Sequence, residues 1–352
     1  MVEVTTNRTY RIAIVGASSL AGKELSDVLS ESSFAASSFT LLDEDRVTGQ
    51  VAAAGDEISF IQKIDASSFQ GMDLVFFAGD GEVAAKYWES ARKAGAAIID
   101  LTSALEGKEG VLIRSPWVAA VKSPANIAHE LDLETSVVVS AHPAAVMLAL
   151  VAARLAAKFK VTSIAATMLE PASQYGRQAM DELHQQTVSL LSFQTLPREQ
   201  YDAQAAFNLL ASLGEDAKIK LADTARRIEA QYEALLGDGP MLSLQLIHAP
   251  VFHGYVASIF VELAETAAIE GVEMCLVGDH IDIVSRESEP PSNLTAAGQE
   301  EIVVWVDSAS RKPGVSARFK LLIAADNLKL AATNSIACAR ELAQLRPLGK
   351  VQ

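Results

Sequence analysis

The side chains able to bind a cofactor, attack a substrate or move a proton fall into a few short stretches. Arg11–Leu25, RIAIVGASSLAGKEL, is a strand-like apolar run, a small-residue turn and a helix-forming segment. Such a turn lets helix N-terminal N–H groups approach a pyrophosphate, so small residues are needed at Gly16, Ser19 and Gly22. The candidate dinucleotide contacts are Gly16, Ser18, Ser19, Leu20, Ala21 and Gly22, with Ala78 and Gly79 behind a later strand. Ser19 replaces a middle glycine and is expected to crowd the phosphate path. After a second predicted strand, Phe39–Leu42, comes DEDR (Asp43–Arg46). An acid there suits a ribose diol and repels a 2′-phosphate, which favours NAD over NADP. His142 lies in VVVSAHPAAVM, Glu170 in LEPASQYGRQAMDEL, and His248, His253 and Tyr255 in HAPVFHGYVASIFVEL. His253 and Tyr255 are two residues apart, so a strand continued through both would put them on one face.

These residues need a scaffold. Met72–Glu106 reads as strand, small-residue loop, helix and strand, the next winding of a parallel sheet. A chain of 352 residues exceeds the size at which one core keeps growing, so two domains are expected. Half the residues are hydrophobic, yet no run approaches the ~20 apolar residues of a spanning helix. The opening MVEVTTNRTY lacks the apolar core of a signal peptide. Cys275 and Cys338 are the two cysteines, too few for a disulfide framework, and they fit a reducing cytoplasm. A net charge of −15 argues against nucleic acid or an anionic membrane as partner. Gly214–Leu236 is expected to be an amphipathic helix with Lys218, Lys220, Arg226 and Arg227 on a solvated face. Ser285–Gly298 is expected to be a long surface loop. His129, His184 and His280 stand singly and read as surface residues.

Taken with AADNLKLAATNSIACAREL (Ala324–Leu342) and AFN (Ala206–Asn208), these segments resemble the aspartate-semialdehyde dehydrogenase family over nearly the full chain. The resemblance implies an α/β fold: a doubly wound Rossmann domain (1–141 plus 326–352) and an α+β dimerisation and catalytic domain (142–325). A C-terminal helix then returns to the first domain. It also implies a homodimer, or pairing with an active paralogue.

Carried onto this sequence, the family's functional positions are altered. His142 occupies the place of the nucleophilic cysteine, Tyr255 that of the general acid–base histidine and His248 that of the substrate-binding arginine. Glu170 replaces a glutamine, Leu101 an asparagine and Glu106 a phosphate-binding arginine. An imidazole cannot take over a thioester step, and a carboxylate repels phosphate. The expected function is therefore a non-catalytic homologue with a structural or regulatory role. Two alternatives use the same residues. One is an NAD-dependent oxidoreductase on an altered aldehyde. The other is a metal-dependent enzyme whose ligands would be His142, Glu170 and His248.

Overall fold

The computed structural model describes residues 9–35, 37–44, 51–54, 57–122, 131–132, 134–309 and 315–345. His129, Asp45 and Arg46 lie outside them. In chain order the first elements are β1 (Arg11–Val15), α1 (Leu20–Glu31), β2 (Ser38–Asp43), β3 (Val51–Ala54), β4 (Glu57–Phe60) and β5 (Gln62–Lys63). They are followed by β6 (Leu74–Phe77), α2 (Gly81–Lys93), β7 (Ala97–Asp100), β8 (Val111–Arg114), α3 (Pro116–Val121) and β9 (Val137–Ser140). Next come α4 (Pro143–Lys158), β10 (Val161–Glu170), a 3₁₀ turn (Ala172–Tyr175), α5 (Arg177–Leu191), α6 (Leu221–Leu236) and β11 (Leu242–His248). The rest are β12 (Tyr255–Ala268), α7 (Ile269–Leu276), β13 (Ile281–Ile283), α8 (Asn293–Ala296), β14 (Ile302–Ser308), β15 (Val315–Ala325) and α9 (Asn327–Leu345).

The chain divides into two compact units: Met1–Pro116 with Ala128–Ala141 and Ala331–Gln352, and Trp117–Ile127 with His142–Leu330. The first contains a seven-stranded sheet, order β5-β2-β1-β6-β7-β9-β8, with every pairing parallel. Its strands are apolar on both faces because both are covered. Ile12, Ile14, Phe76, Ile99 and Val138 pack with Leu25 and Leu29 of α1 and Ile336, Ala339 and Leu342 of α9. The alternate residues Ala13, Val15, Val75, Phe77, Ile98 and Val139 pack with Val83, Ala84 and Ala91 of α2. This is the doubly wound arrangement expected, with the C-terminal helix on one of its faces.

The second unit contains a six-stranded mixed sheet, order β11-β10-β12-β15-β14-β13. Period-two alternation is clean on β12, where Tyr255, Ala257, Ile259 and Val261 are buried while Ser258 and Phe260 are exposed. α4 is buried almost all round, from Pro143 to Ala153. Two expectations change here. The helix predicted over Gly214–Leu236 starts only at Leu221, with Gly214–Lys220 outside it. Ser285–Gly298 contains a helical turn, α8, closed by a capping box between Ser292 and Thr295.

Candidate functional site

The turn between β1 and α1 of the first unit is built by close backbone approaches. Gly16, at φ +81°, lies so near Gly79 that a Cβ added to it would be 2.3 Å from Gly79 Cα. A Cβ on Gly22 would meet Gly16 O at 2.2 Å. Small residues are thus required here whether or not a phosphate is bound. Ser19 is the N-cap of α1: its Oγ accepts from Gly22 N–H at 2.8 Å and donates to Ala78 O at 2.7 Å. These two bonds hold the Ser19 hydroxyl against the protein. Leu20 and Ala21 follow the cap, where backbone N–H groups have no partner within the helix. At the end of β2, Asp43 Oδ2 accepts from Ser18 N–H at 2.9 Å and Ser18 Oγ–H at 2.6 Å, and Oδ1 accepts from Glu44 N–H. Asp43 therefore ties the second strand to the turn that carries Ser18.

In the second unit, His142 lies two residues past the end of β9 and caps α4, with Pro143 at the first helical position, where its fixed φ and missing N–H cost nothing. His142 Nδ1 accepts from Ala144 N–H at 3.3 Å, and Nε2 lies 2.9 Å from the Gln174 amide. Burial, and then the positive charge of Arg227, hold the ring neutral down to about pH 3. Gln231 of α6 accepts the His142 backbone N–H at 2.5 Å.

Glu170 ends β10 and is the register partner of His248, which ends β11. The antiparallel pairing of Leu169 with Val256 brings Tyr255, the first residue of β12, opposite Glu170. All three side chains are fully buried. Tyr175 donates to Glu170 Oε2 at 2.5 Å, and its hydroxyl lies 3.2 Å from Thr224 Oγ1. Burial pushes the Glu170 carboxyl up to about 8, against the opposing effect of the Tyr175 bond, so the acid is protonated at neutral pH. Burial lowers His248 to about 4, so it is neutral too, with its ring 4.7 Å from that of Tyr201. Tyr255 is held protonated by burial and by Glu170, and its ring centroid is 6.2 Å from that of His142. Glu170 Oε1, both His248 nitrogens and the Tyr255 hydroxyl have no hydrogen-bond partner.

The structure thus gathers Glu170, His248 and Tyr255 in one row, with His142 6.2 Å from Tyr255 between ring centroids. It does not assemble a metal centre: among the described residues no three His, Cys, Asp or Glu side chains are grouped to hold an ion. His253 is not on an alternating strand position, because β12 begins at Tyr255 and Gly254, at φ +86°, turns the chain between them. His280 is not a plain surface residue; it stacks on Trp117 at 4.0 Å and burial lowers its pKa. His184 is exposed. Cys338 is buried, whereas Cys275 is only partly so, donates to Val272 O and is pushed up to about 11 by burial. Neither is a ready thiolate.

The contributions of Gln174, Tyr175, Thr224, Arg227 and Gln231 were not read from the sequence. Arg227 belongs with His142, which it affects electrostatically, and the expectation of a purely solvated face is corrected. A signal was present: Thr224, Arg227 and Gln231 recur at i, i+3 and i+7, alongside the buried stripe Leu221, Ile228, Tyr232 and Leu235.

Comparison with known proteins agrees with this architecture. Residues 11–123 match the family model for the semialdehyde dehydrogenase NAD-binding domain, and residues 152–330 that for the semialdehyde dehydrogenase dimerisation domain. A USG-1 protein homolog of Pseudomonas aeruginosa is 32% identical over 336 residues, 90% of this chain and 97% of that one. Aspartate-semialdehyde dehydrogenase of Rickettsia bellii is 25% identical over 338 residues, 95% of this chain and 98% of its own. A solved structure of a probable aspartate-semialdehyde dehydrogenase from Pseudomonas aeruginosa superposes with a TM-score of 0.85 at 29% identity, covering 96% and 99% of the two chains. With both domain models matched in order, this chain belongs to the semialdehyde dehydrogenase family.

Proposed function

We propose that this chain is a semialdehyde dehydrogenase homologue that has lost the family's thiol chemistry, retains dinucleotide binding and serves a structural or regulatory role as a homodimer. The observation that carries the proposal is His142. It caps α4 where the resemblance puts the nucleophile, buried beside Gln174 with its Nδ1 facing Ala144 N–H. The positive end of a helix stabilises a thiolate and disfavours an imidazolium, so the position suits the lost cysteine and keeps its replacement neutral. Tyr255, held protonated, is no base at neutral pH, and His248 carries no charge to hold a carboxylate.

NAD is the favoured dinucleotide, because a 2′-phosphate would meet the Asp43 carboxylate at the end of β2. Support for a homodimer comes from the matched dimerisation domain and from the outward face of the second sheet. There Ala165, Ser243, Ser258 and Phe260 are exposed. The ion pairs Arg318–Glu262 and Lys320–Asp307 border them.

The test is a dehydrogenase assay of the purified chain with aspartate semialdehyde, phosphate and either NAD or NADP. The expected result is no turnover above the rate without protein. Turnover abolished by a thiol alkylator would show a working cysteine and overturn the proposal, and turnover that survives alkylation would show a dehydrogenase without one.

A further inference from the structure

The second unit holds a cavity of 560 Å³ that shares no residue with the row of Glu170, His248 and Tyr255. Asp279, His280, Asp282, Thr295, Gln299 and Glu301 line it, and its volume falls within the roughly 300–1,000 Å³ of small-molecule sites. The fold brings these residues together from separate stretches. In the parallel register of β13 and β14, Asp282 lies opposite Val303, so the two share a face. Ile302 N–H donates to His280 O at 2.9 Å, which sets Glu301 beside the turn before β13. Thr295 of α8 and Gln299 beyond it complete the lining. The turn itself is held in place: the Arg154 guanidinium donates to Leu276 O and Asp279 O, and the His280 ring stacks on Trp117 at 4.0 Å. A cavity whose walls are fixed in advance loses little order when it is filled.

The lining selects the ligand by charge. Three carboxylates, Asp279, Asp282 and Glu301, face the cavity, and among the described residues no lysine or arginine lines it. Burial lowers the His280 pKa, so its ring adds no positive charge at neutral pH. Carboxylates of one sign lining a concave wall reinforce each other's field and draw a cation. A single metal ion does not match them, because no three acidic, histidine or cysteine side chains among the described residues are grouped to hold one. An organic cation with its charges spread along a chain does. Its methylenes would lie on Val303 and the His280 ring, while the Thr295 hydroxyl and the Gln299 amide oxygen accept from ammonium N–H groups.

We infer that this cavity is a binding site for a linear polyamine, with Asp279, Asp282 and Glu301 taking its separated ammonium groups. The site goes beyond the proposed function and stands whether or not thiol chemistry has been lost, since neither His142 nor the dinucleotide turn belongs to it.

The test is calorimetric titration of the full-length protein with spermidine at about 0.15 M salt, where attraction between exposed charges more than roughly 8 Å apart is screened. Binding saturates at a single molecule per chain. Asp282→Asn with Glu301→Gln, checked for folding by circular dichroism, weakens it about tenfold, the worth of two exposed ion pairs. Glu109→Gln with Glu233→Gln makes the same change of charge at exposed positions outside the cavity, and it alters affinity by less than about twofold. Mg²⁺ alone binds more weakly than spermidine. Absence of saturable binding, equal weakening by the two double variants, or Mg²⁺ binding as tightly as spermidine would overturn the inference. The second of these would reduce the effect to the general attraction of a chain of net charge −15 for cations.

Discussion

Tyr175 donates to Glu170 at 2.5 Å across a five-residue turn, leaving the second carboxyl oxygen unpartnered. Removing the donor with Tyr175→Phe would leave both oxygens of a buried acid bare. The expected loss is about 1–3 kcal/mol of stability, read from urea denaturation. The Glu170 pKa should rise further, because the Tyr175 bond is what opposes burial.

Stability should peak near neutral pH, with two arms of opposite sign. Glu170 is raised from 4.5 to about 8, so the folded chain holds a proton that the unfolded chain has lost; stability from this group falls as pH rises through that window. His142 and His248 are lowered from 6.5 to about 3 and about 4, so the unfolded chain binds protons first; their contribution is lost as pH falls below 6.5. Glu170→Gln should flatten the alkaline arm and His248→Asn the acidic one in denaturation midpoints taken across pH. Unchanged arms would contradict these assignments.

His142→Cys should create a reactive thiol without creating an enzyme. At the N-cap of the 16-residue helix α4, its thiolate is favoured by the helix N-terminus, so iodoacetamide should label it faster than Cys275, which burial pushes up to about 11. Semialdehyde turnover should stay absent, because Tyr255 and His248 still occupy the acid–base and carboxylate positions.

Asp43→Asn should narrow the gap between NAD and NADP. Removing one repulsive charge is worth about 1 kcal/mol, or about fivefold in NADP affinity, measured by calorimetry. An unaltered preference would place the nucleotide discrimination elsewhere.

Ser19→Ala removes the cap of α1 and the bond to Ala78 O together. The expected cost is about 1 kcal/mol of stability by chemical denaturation. NAD affinity should change less than twofold, since the hydroxyl faces the protein. A large loss of affinity with stability intact would mean that Ser19 touches the nucleotide.

Much of the fold was legible because parallel strands covered on both faces read as continuous apolar runs, as in RIAIV and LVFF, joined by small-residue turns. The positions of His142, Glu170, His248 and Tyr255 were legible through family resemblance. Their roles were not, because the protonation of Glu170 follows from burial and from a tyrosine five residues away. Arg227 was misread for a related reason: a charge pattern shows which faces of a helix are polar, and only packing shows that one polar position acts on His142. His253 failed because a single positive-φ glycine, Gly254, breaks the strand alternation on which the expectation depended.

The mutual approach of Gly16 and Gly79 has an evolutionary consequence. A Cβ on Gly16 would lie 2.3 Å from Gly79 Cα, and one on Gly79 would lie 2.7 Å from Gly16 Cα. Many core contacts can drift by trading a larger residue on one side for a smaller one on the other. This contact has no such exchange, because neither partner has anything left to give up. The two positions should therefore stay glycine in descendants of this chain even after its dinucleotide and its chemistry are gone.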